Sequence, residues 1–282
     1  MALKELIRQL NLQQEDEYKF LGEPSDLGFM RLFGGHVLAQ SLSAAGCTVE
    51  GRQIHSLHAY FLRPGDCQET ITYEVDPIRD GRTFSTRRVV AFQKGKAIFN
   101  MSSSFQIPEY GLEHQISKPY APAPDGVKPD IEITRGDAHL IPETVRAKIT
   151  KDRAIEIRTV DYNHPLKPRV SQPVSHTWLR ANGEVVEDDL LHCCLLAYAS
   201  DFGLLRTATR PHGVSIRDLQ IASLDHAMWF HRPVNMNNWL LHAMDSPSAS
   251  RGRGFNRGNF FDEQGNLVAS VTQEGLMRDL RD

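Results

Sequence analysis

Three polar residues, Asp201, Ser223 and Gln273, interrupt otherwise apolar segments in the second half of this chain. Asp201 directly follows an apolar run and lies three residues past Tyr198, four past Ala197 and seven past Cys194. At helical spacing it projects from the buried face. A carboxylate that loses hydration there becomes a better proton acceptor near neutrality, which is what a general base requires. The plainer reading is that Asp201 caps the exit of the helix or pairs with Arg206, and position alone leaves both open. Gln273 ends the strand-spaced row Leu267, Ala269, Val271. A buried amide left unpaired costs about 1–3 kcal/mol, so it should have a partner, either a neighbouring backbone group or a functional one. Ser223, a serine in a strand, is filler by itself. Alternation groups it with Asp225, Ala227 and Trp229 and puts Leu224, His226 and Met228 on the other face. Asp225 and His226 have the types of an acid–base pair, but adjacent strand residues point apart and do not meet at one substrate atom.

These residues lie in the second of two copies of one pattern. Residues 59–64 read Ala-Tyr-Phe-Leu-Arg-Pro, and residues 228–233 read Met-Trp-Phe-His-Arg-Pro. About 20 residues after each comes a Gly-Arg-x-Phe, as Gly81-Arg82-Thr83-Phe84 and Gly252-Arg253-Gly254-Phe255, followed by a turn at Gly95 or Gly265. The copies differ where chemistry could sit. Ser103 takes the place of Gln273 in the first copy, and no comparable carboxylate ends its helix. A duplicated scaffold with one polar constellation implies one active site per chain.

The elements that must position this constellation follow from the pattern. Leu3, Leu6, Ile7 and Leu10 predict a docking helix over the first 12 residues, with Lys4 and Arg8 on the other side. Residues from Glu17 to Phe33 read as irregular. Phe33-Gly34-Gly35-His36 opens a helix of small residues ending at Gly46, buried on all faces. Strands are expected over His55–Leu62, Ile71–Asp76, Thr83–Gln93 and Lys96–Ile107. The Pro-rich stretch 108–152 reads as a linker with one short helix at most. The second copy, 153–282, repeats the order of the first, 1–107. It has strands at Ile155–Val160 and Ser175–Leu179 and a helix over Asp188–Phe202. Strands then return at Gln220–His231, Trp239–Asp245, Gly254–Phe261 and Leu267–Met277. Each unit is α+β, a helix wrapped by a curled antiparallel sheet.

The 282 residues suffice for two domains, each with its own core. With 40% apolar and 24% charged residues and a net charge of −3, the composition is that of a soluble globular protein without a nucleic-acid footprint. No run approaches the ~18 apolar residues of a membrane span. The four cysteines form no C-x-x-C pair and read as thiols in a reducing cytoplasm.

Phe33-Gly34-Gly35-His36-Val37, the run from His55 to Asp66, and Arg79-Asp80-Gly81-x-x-Phe84 resemble the type II acyl-CoA thioesterase family. So do Tyr198-Ala199-Ser200-Asp201, His226-x-Met228-Trp229-Phe230-His231-Arg232-Pro233 and Gln273-Glu274-Gly275-x-Met277-Arg278. The resemblance covers nearly the whole chain outside the linker. It implies a double hotdog fold and hydrolysis of medium- to long-chain fatty acyl-CoA to free fatty acid and CoA, with no metal or other cofactor. It also implies a homodimer or homotetramer. The family's catalytic aspartate falls on Asp201, its glutamine on Gln273, and its hydroxyl residue, Thr in some members and Ser in others, on Ser223.

The implied mechanism has Asp201 accept a proton from, or anchor, the attacking water, while Ser223 and Gln273 hold it in place. The tetrahedral oxyanion needs donors, and the backbone N–H groups of Gly35 and His36 at a helix start are the expected ones. Arg82, Arg87, Arg88, Arg251, Arg253, Arg257 and Arg278 are available to CoA phosphates, and none is assigned.

Other chemistries fit less well. The chain has no Gly-x-Ser-x-Gly elbow. The twelve histidines, including His55-x-x-His58, lack the companions of a zinc set at usual spacing. A hydratase or dehydratase of the same fold would need His55, His58 or His226 as its acid. A non-catalytic acyl-CoA-binding module would have no use for the Asp201, Ser223 and Gln273 set.

Overall fold

The computed structural model describes residues 1–28 and 31–281. Phe29 and Met30, in the stretch read as irregular, and Asp282, at the end of the second copy, lie outside the described residues. The docking helix is α1 (Ala2–Leu10), which buries Leu3, Leu6 and Leu10 and leaves Lys4 and Arg8 exposed. Next comes a hairpin that the pattern does not announce, β1 (Gln13–Asp16) and β2 (Lys19–Gly22). Its first strand is exposed throughout and carries no apolar alternation. Backbone pairing to β2, which in turn pairs with the main sheet, holds it in place.

The first unit continues with α2 (Gly34–Gly46), β3 (Gln53–Phe61), β4 (Ile71–Asp80), β5 (Phe84–Gln93) and β6 (Lys96–Gln106). The linker holds two short α-helices, α3 (Asp130–Gly136) and α4 (Glu143–Ile149), where at most one was expected. Pro129 and Pro142 stand at their N-caps, a position where the missing N–H has no helical partner to lose. The second unit comprises β7 (Ile155–Thr159), β8 (Val174–Ala181), α5 (Asp189–Ser200), the unexpected α6 (Leu204–Thr209), β9 (Leu219–Ser223), β10 (Asp225–Phe230), β11 (Leu240–Ser250), β12 (Arg253–Asp262) and β13 (Leu267–Asp279).

The strand order is β1-β2-β4-β5-β6-β3-β10-β13-β12-β11-β8-β7, with β9 added on β13. The order β4-β5-β6-β3 on one side of the centre answers β11-β12-β13-β10 on the other, so the repeat in sequence is a repeat in space. The seam is the antiparallel pair β3–β10, where Leu57 faces Met228 and Tyr60 faces Asp225. The core helices α2 and α5 lie against each other, the start of one beside the end of its neighbour. A Cβ on Gly35 would stand 2.5 Å from the Tyr198 carbonyl oxygen, and one on Gly46 would strike Leu190. Glycine at both ends of α2 is what permits this approach. The architecture is the double hotdog, two helices wrapped by one continuous sheet.

One expected strand is broken in a way that matters. Residues 220–231 form β9 and β10 rather than a single run. Ser223 faces Gly275 while Ala227 faces Thr272, so four steps along this side match three along β13. The extra residue is a β-bulge, which reverses the faces that alternation assigns beyond it. Asp225 Oδ1 accepts the Glu274 N–H at 2.7 Å beside it, and Leu224 donates its N–H to the Glu274 carbonyl at 3.0 Å.

Candidate active site

Helix α5 is set at its start by Asp188, whose side chain accepts the Leu191 N–H at 3.0 Å. Every residue from His192 to Ser200 is buried, and the helix delivers Asp201 at its C-cap. A carboxylate at that end faces the negative pole of the helix, at a cost of about 0.3–1 kcal/mol. Donors from other elements offset this. Gly35 N–H reaches Oδ2 at 2.9 Å, Gln273 Nε2 reaches Oδ1 at 2.7 Å, and Ser223 Oγ lies 3.4 Å from Oδ1.

The Gly35 contact has a local cause. It is the second residue of α2, so its N–H has no partner within the helix, and α2 has neither a side-chain cap nor an acid in its first turn. Asp201 supplies that missing cap from the neighbouring helix. Of the two plain readings of this aspartate, pairing with Arg206 is not what forms. Arg206 donates instead to the Asn163 carbonyl at 2.9 Å. The capping occurs, but at the start of α2 rather than at the exit of α5.

Gln273 is fully buried on β13, and its amide nitrogen is the centre of the cluster. Nε2 lies 2.7 Å from Asp201 Oδ1, 3.0 Å from Ser223 Oγ and 3.3 Å from His226 Nδ1. The expected partner for the buried amide is thus found at its nitrogen end, while Oε1 has none. Alternation had put Ser223 and His226 on opposite faces, and this is corrected: the bulge after Ser223 brings both to the same amide. Asp225 is occupied at the bulge, so the Asp225–His226 pairing stays unformed, as expected.

Asp201, Ser223 and Gln273 therefore converge, with Asp201 and Ser223 partly exposed and Gln273 closed behind them. Phe33 stacks on Phe202 at 4.5 Å between ring centres and meets Tyr198 edge-on at 5.2 Å, which makes an apolar wall next to the carboxylate. The expected oxyanion donors are otherwise engaged. Gly35 N–H is bound to Asp201, and His36 N–H donates to the Phe33 carbonyl at 3.1 Å. The His36 ring is buried and its Nε2 meets the Glu23 carbonyl at 2.9 Å.

The equivalent place in the first unit is closed. Arg87 and Ser103 face each other across β5–β6 as Asn256 and Gln273 do across β12–β13. The buried Arg87 guanidinium donates to Thr48 Oγ1 at 2.9 Å, to the Thr48 carbonyl at 3.0 Å and to Asp80 Oδ1 at 2.9 Å. That guanidinium occupies the ground next to the end of α2, where the first unit has Cys47 instead of an aspartate. It is thereby removed from the arginines open to CoA phosphates. Arg88, Arg253 and Arg257 pair with Asp76, Glu274 and Asp245.

Gly35 and His36 were expected as oxyanion donors; Gly35, together with Gly34, instead lies against the Asp201 carboxylate. Ser200 and His226 also lie inside the quoted motifs, but nothing in their spacing signals a shared hydrogen bond.

Comparison with known proteins gives the family. Residues 23–106 match the family model described as acyl-CoA thioesterase N-terminal domain, and residues 144–276 match that of acyl-CoA thioesterase. Acyl-CoA thioesterase 2 of Haemophilus influenzae is 42% identical over 279 residues, covering 98% of each chain. Acyl-coenzyme A thioesterase 8 of Mus musculus is 36% identical, covering 95% of this chain and 87% of that protein. The crystal structure of an acyl-CoA thioesterase II, TesB2, from Mycobacterium marinum superposes with a TM-score of 0.80 at 40% identity over 98% of both chains. On its fold, its motifs and these near full-length likenesses, the chain belongs to the acyl-CoA thioesterase family.

Proposed function

We propose that this chain hydrolyses medium- to long-chain fatty acyl-CoA by direct attack of a water molecule activated by Asp201. The observation that carries the reading is the meeting of Asp201, Ser223 and Gln273 from α5, β9 and β13 around one amide nitrogen. Water oxygen bonds to the thioester carbonyl carbon as its proton passes to the Asp201 carboxylate. The tetrahedral intermediate then collapses, the C–S bond breaks, and the proton leaves with the CoA thiolate. Ser223 and Gln273 orient the water, and orientation itself lowers the barrier. Gly35 holds the carboxylate by its N–H and so acts on the base rather than on the oxyanion.

A dehydratase of the same fold is disfavoured by its need for an accessible histidine acid. His226 is enclosed behind Gln273, His58 meets the edge of Trp229 away from the cluster, and His55 Nε2 is bound to Ser104 Oγ at 2.8 Å. The unpaired state of Cys47, Cys67, Cys193 and Cys194 supports a reducing compartment, the cytoplasm.

The test is thiol release from a panel of saturated acyl-CoAs by wild type and by Asp201→Asn. Wild type should release thiol, and the variant should be slower by about 100-fold or more with its fold intact. Release that survives in Asp201→Asn would overturn the mechanism. No release from any chain length by wild type would overturn the activity.

A further inference from the structure

The proposed mechanism leaves unused an enclosed polar side chain that touches the site. His226 has no solvent exposure, yet both of its ring nitrogens meet polar atoms. Nε2 lies 2.9 Å from Ser200 Oγ, and Nδ1 lies 3.3 Å from Gln273 Nε2. Gln273 Nε2 can only donate, so the Nδ1 facing it is an acceptor, and the single Ser200 hydrogen has both the Ala197 carbonyl at 2.8 Å and Met228 Sδ at 3.3 Å within reach. Toward the ring, Ser200 Oγ is therefore an acceptor. This places the imidazole proton on Nε2 and leaves Nδ1 as a lone pair facing the Gln273 amide. Burial, which pushes the His226 pKa down to about 4, keeps the ring in the neutral form that this arrangement needs.

Gln273 has a particular use for such a partner. Its Oε1 is buried without a hydrogen bond, so only contacts at Nε2 fix which way the amide faces. Turned over, the amide would present Oε1 to the Asp201 carboxylate and withdraw its N–H donors from Asp201 and Ser223. An acceptor behind the amide nitrogen works against that turn. Packing alone does not call for an imidazole here. In the first unit Leu57 stands on β3 opposite Ser103, the place that His226 takes beside Gln273. Leu57 is as completely buried.

We propose that His226 is a positioning residue for the hydrolysis: its Nδ1, with the ring proton held on Nε2 by Ser200, keeps the Gln273 amide nitrogen turned toward Asp201 and Ser223. The inference rests on the reading of Asp201, Ser223 and Gln273 as the hydrolytic site.

The experiment is a double-mutant cycle on acyl-CoA hydrolysis with His226→Leu, Gln273→Ala and the combined variant, with thermal melts as the check on folding. His226→Leu should lower kcat by about 10-fold with KM within about 2-fold, because only orientation is lost. In the Gln273→Ala background the same change should cost less than about 2-fold, since His226 acts through Gln273. His226→Asn, whose Oδ1 takes the place of Nδ1, should recover most of the rate. Ser200→Ala, which frees the ring proton to move to Nδ1, should fall between.

Equal losses in both backgrounds, or equal losses for the Leu and Asn variants, would reduce His226 to a packing residue and overturn the inference. If His226→Leu does not fold, Ser200→Ala and His226→Asn run through the same cycle and decide it. Full activity in Gln273→Ala would sink the mechanism itself, and with it this inference. A loss there without a loss in His226→Leu would sink the inference alone.

Discussion

Gly35 donates its backbone N–H to Asp201 Oδ2 at 2.9 Å, across the contact between the two core helices. The first unit thus has no carboxylate of its own at this place, yet it holds that of the second. The site is single, but both halves build it. The geometry also explains why two glycines begin α2. A side chain on Gly35 would collide with the Tyr198 carbonyl, and one on Gly34 would stand 2.9 Å from both Asp201 Oδ2 and the Phe61 ring.

Gly34→Ala should therefore act on the base without replacing any proposed catalytic residue. We expect kcat to fall by about 10–100-fold, because small displacements of a reacting group are expensive in rate. Steady-state kinetics on a responsive acyl-CoA, with circular dichroism to confirm the fold, tests this. An unchanged kcat would show that the carboxylate tolerates movement.

The capping role separates from the chemical one in a stability measurement. Asp201→Ala removes the acceptor for Gly35 N–H and should cost about 0.5–2 kcal/mol, whereas Asp201→Asn keeps an acceptor oxygen and should cost less. Denaturant unfolding of the two variants should rank them in that order although both should lose most of their activity. The reverse order would mean that the Gly35 contact contributes nothing to the fold.

Acid should destabilise the protein through its buried histidines. Burial pushes His226 down to about 4, and pushes His242 down to about 3 with the neighbouring His226 charge adding to the effect. The unfolded chain takes up these protons near the ordinary histidine value of 6.5, while the native state refuses them until the pH reaches those lower values. Stability is thus complete above that ordinary value and falls as the pH drops below it. His242 stacks on Phe260 at 4.0 Å, and neither of its nitrogens has a partner. His242→Leu should therefore flatten the dependence of Tm on pH between neutrality and mild acid. A slope identical to that of wild type would count against this account.

The closed place in the first unit should matter for stability alone. Arg87→Leu leaves the Thr48 carbonyl and hydroxyl without their donor, at a cost of about 1–3 kcal/mol. That corresponds to roughly 2–4 °C in Tm for each kcal/mol in a chain of this size. The kcat should stay within about 2-fold of wild type, since the residue belongs to the other unit's polar cluster. A large loss of kcat would give Arg87 a part in the reaction.

What the sequence by itself determined is the part written in short-range pattern. The two Gly-Arg-x-Phe turns, the small-residue helix after Phe33 and the apolar helix ending at Asp201 all form where spacing puts them, because periodicity and turn chemistry act over a few residues. Asp201 and Gln273 stood out for a related reason, as polar groups among apolar neighbours, whereas Ser223, filler by itself, was named by the family resemblance. What only the tertiary structure decided depends on partners distant in the chain. Leu224 looks like any strand residue, and it becomes part of a bulge only because β13 sets the register on either side of it. That single slip carries His226 to the face of Ser223. Strand β1 has no apolar alternation to betray it and exists through backbone pairing to β2. Asp201 and Gly35 are 166 residues apart, and nothing local relates a carboxylate at one helix end to a free N–H at another helix's start. The packing of α2 on α5 brings them together, since a helix start buried without a cap must find an acceptor from elsewhere.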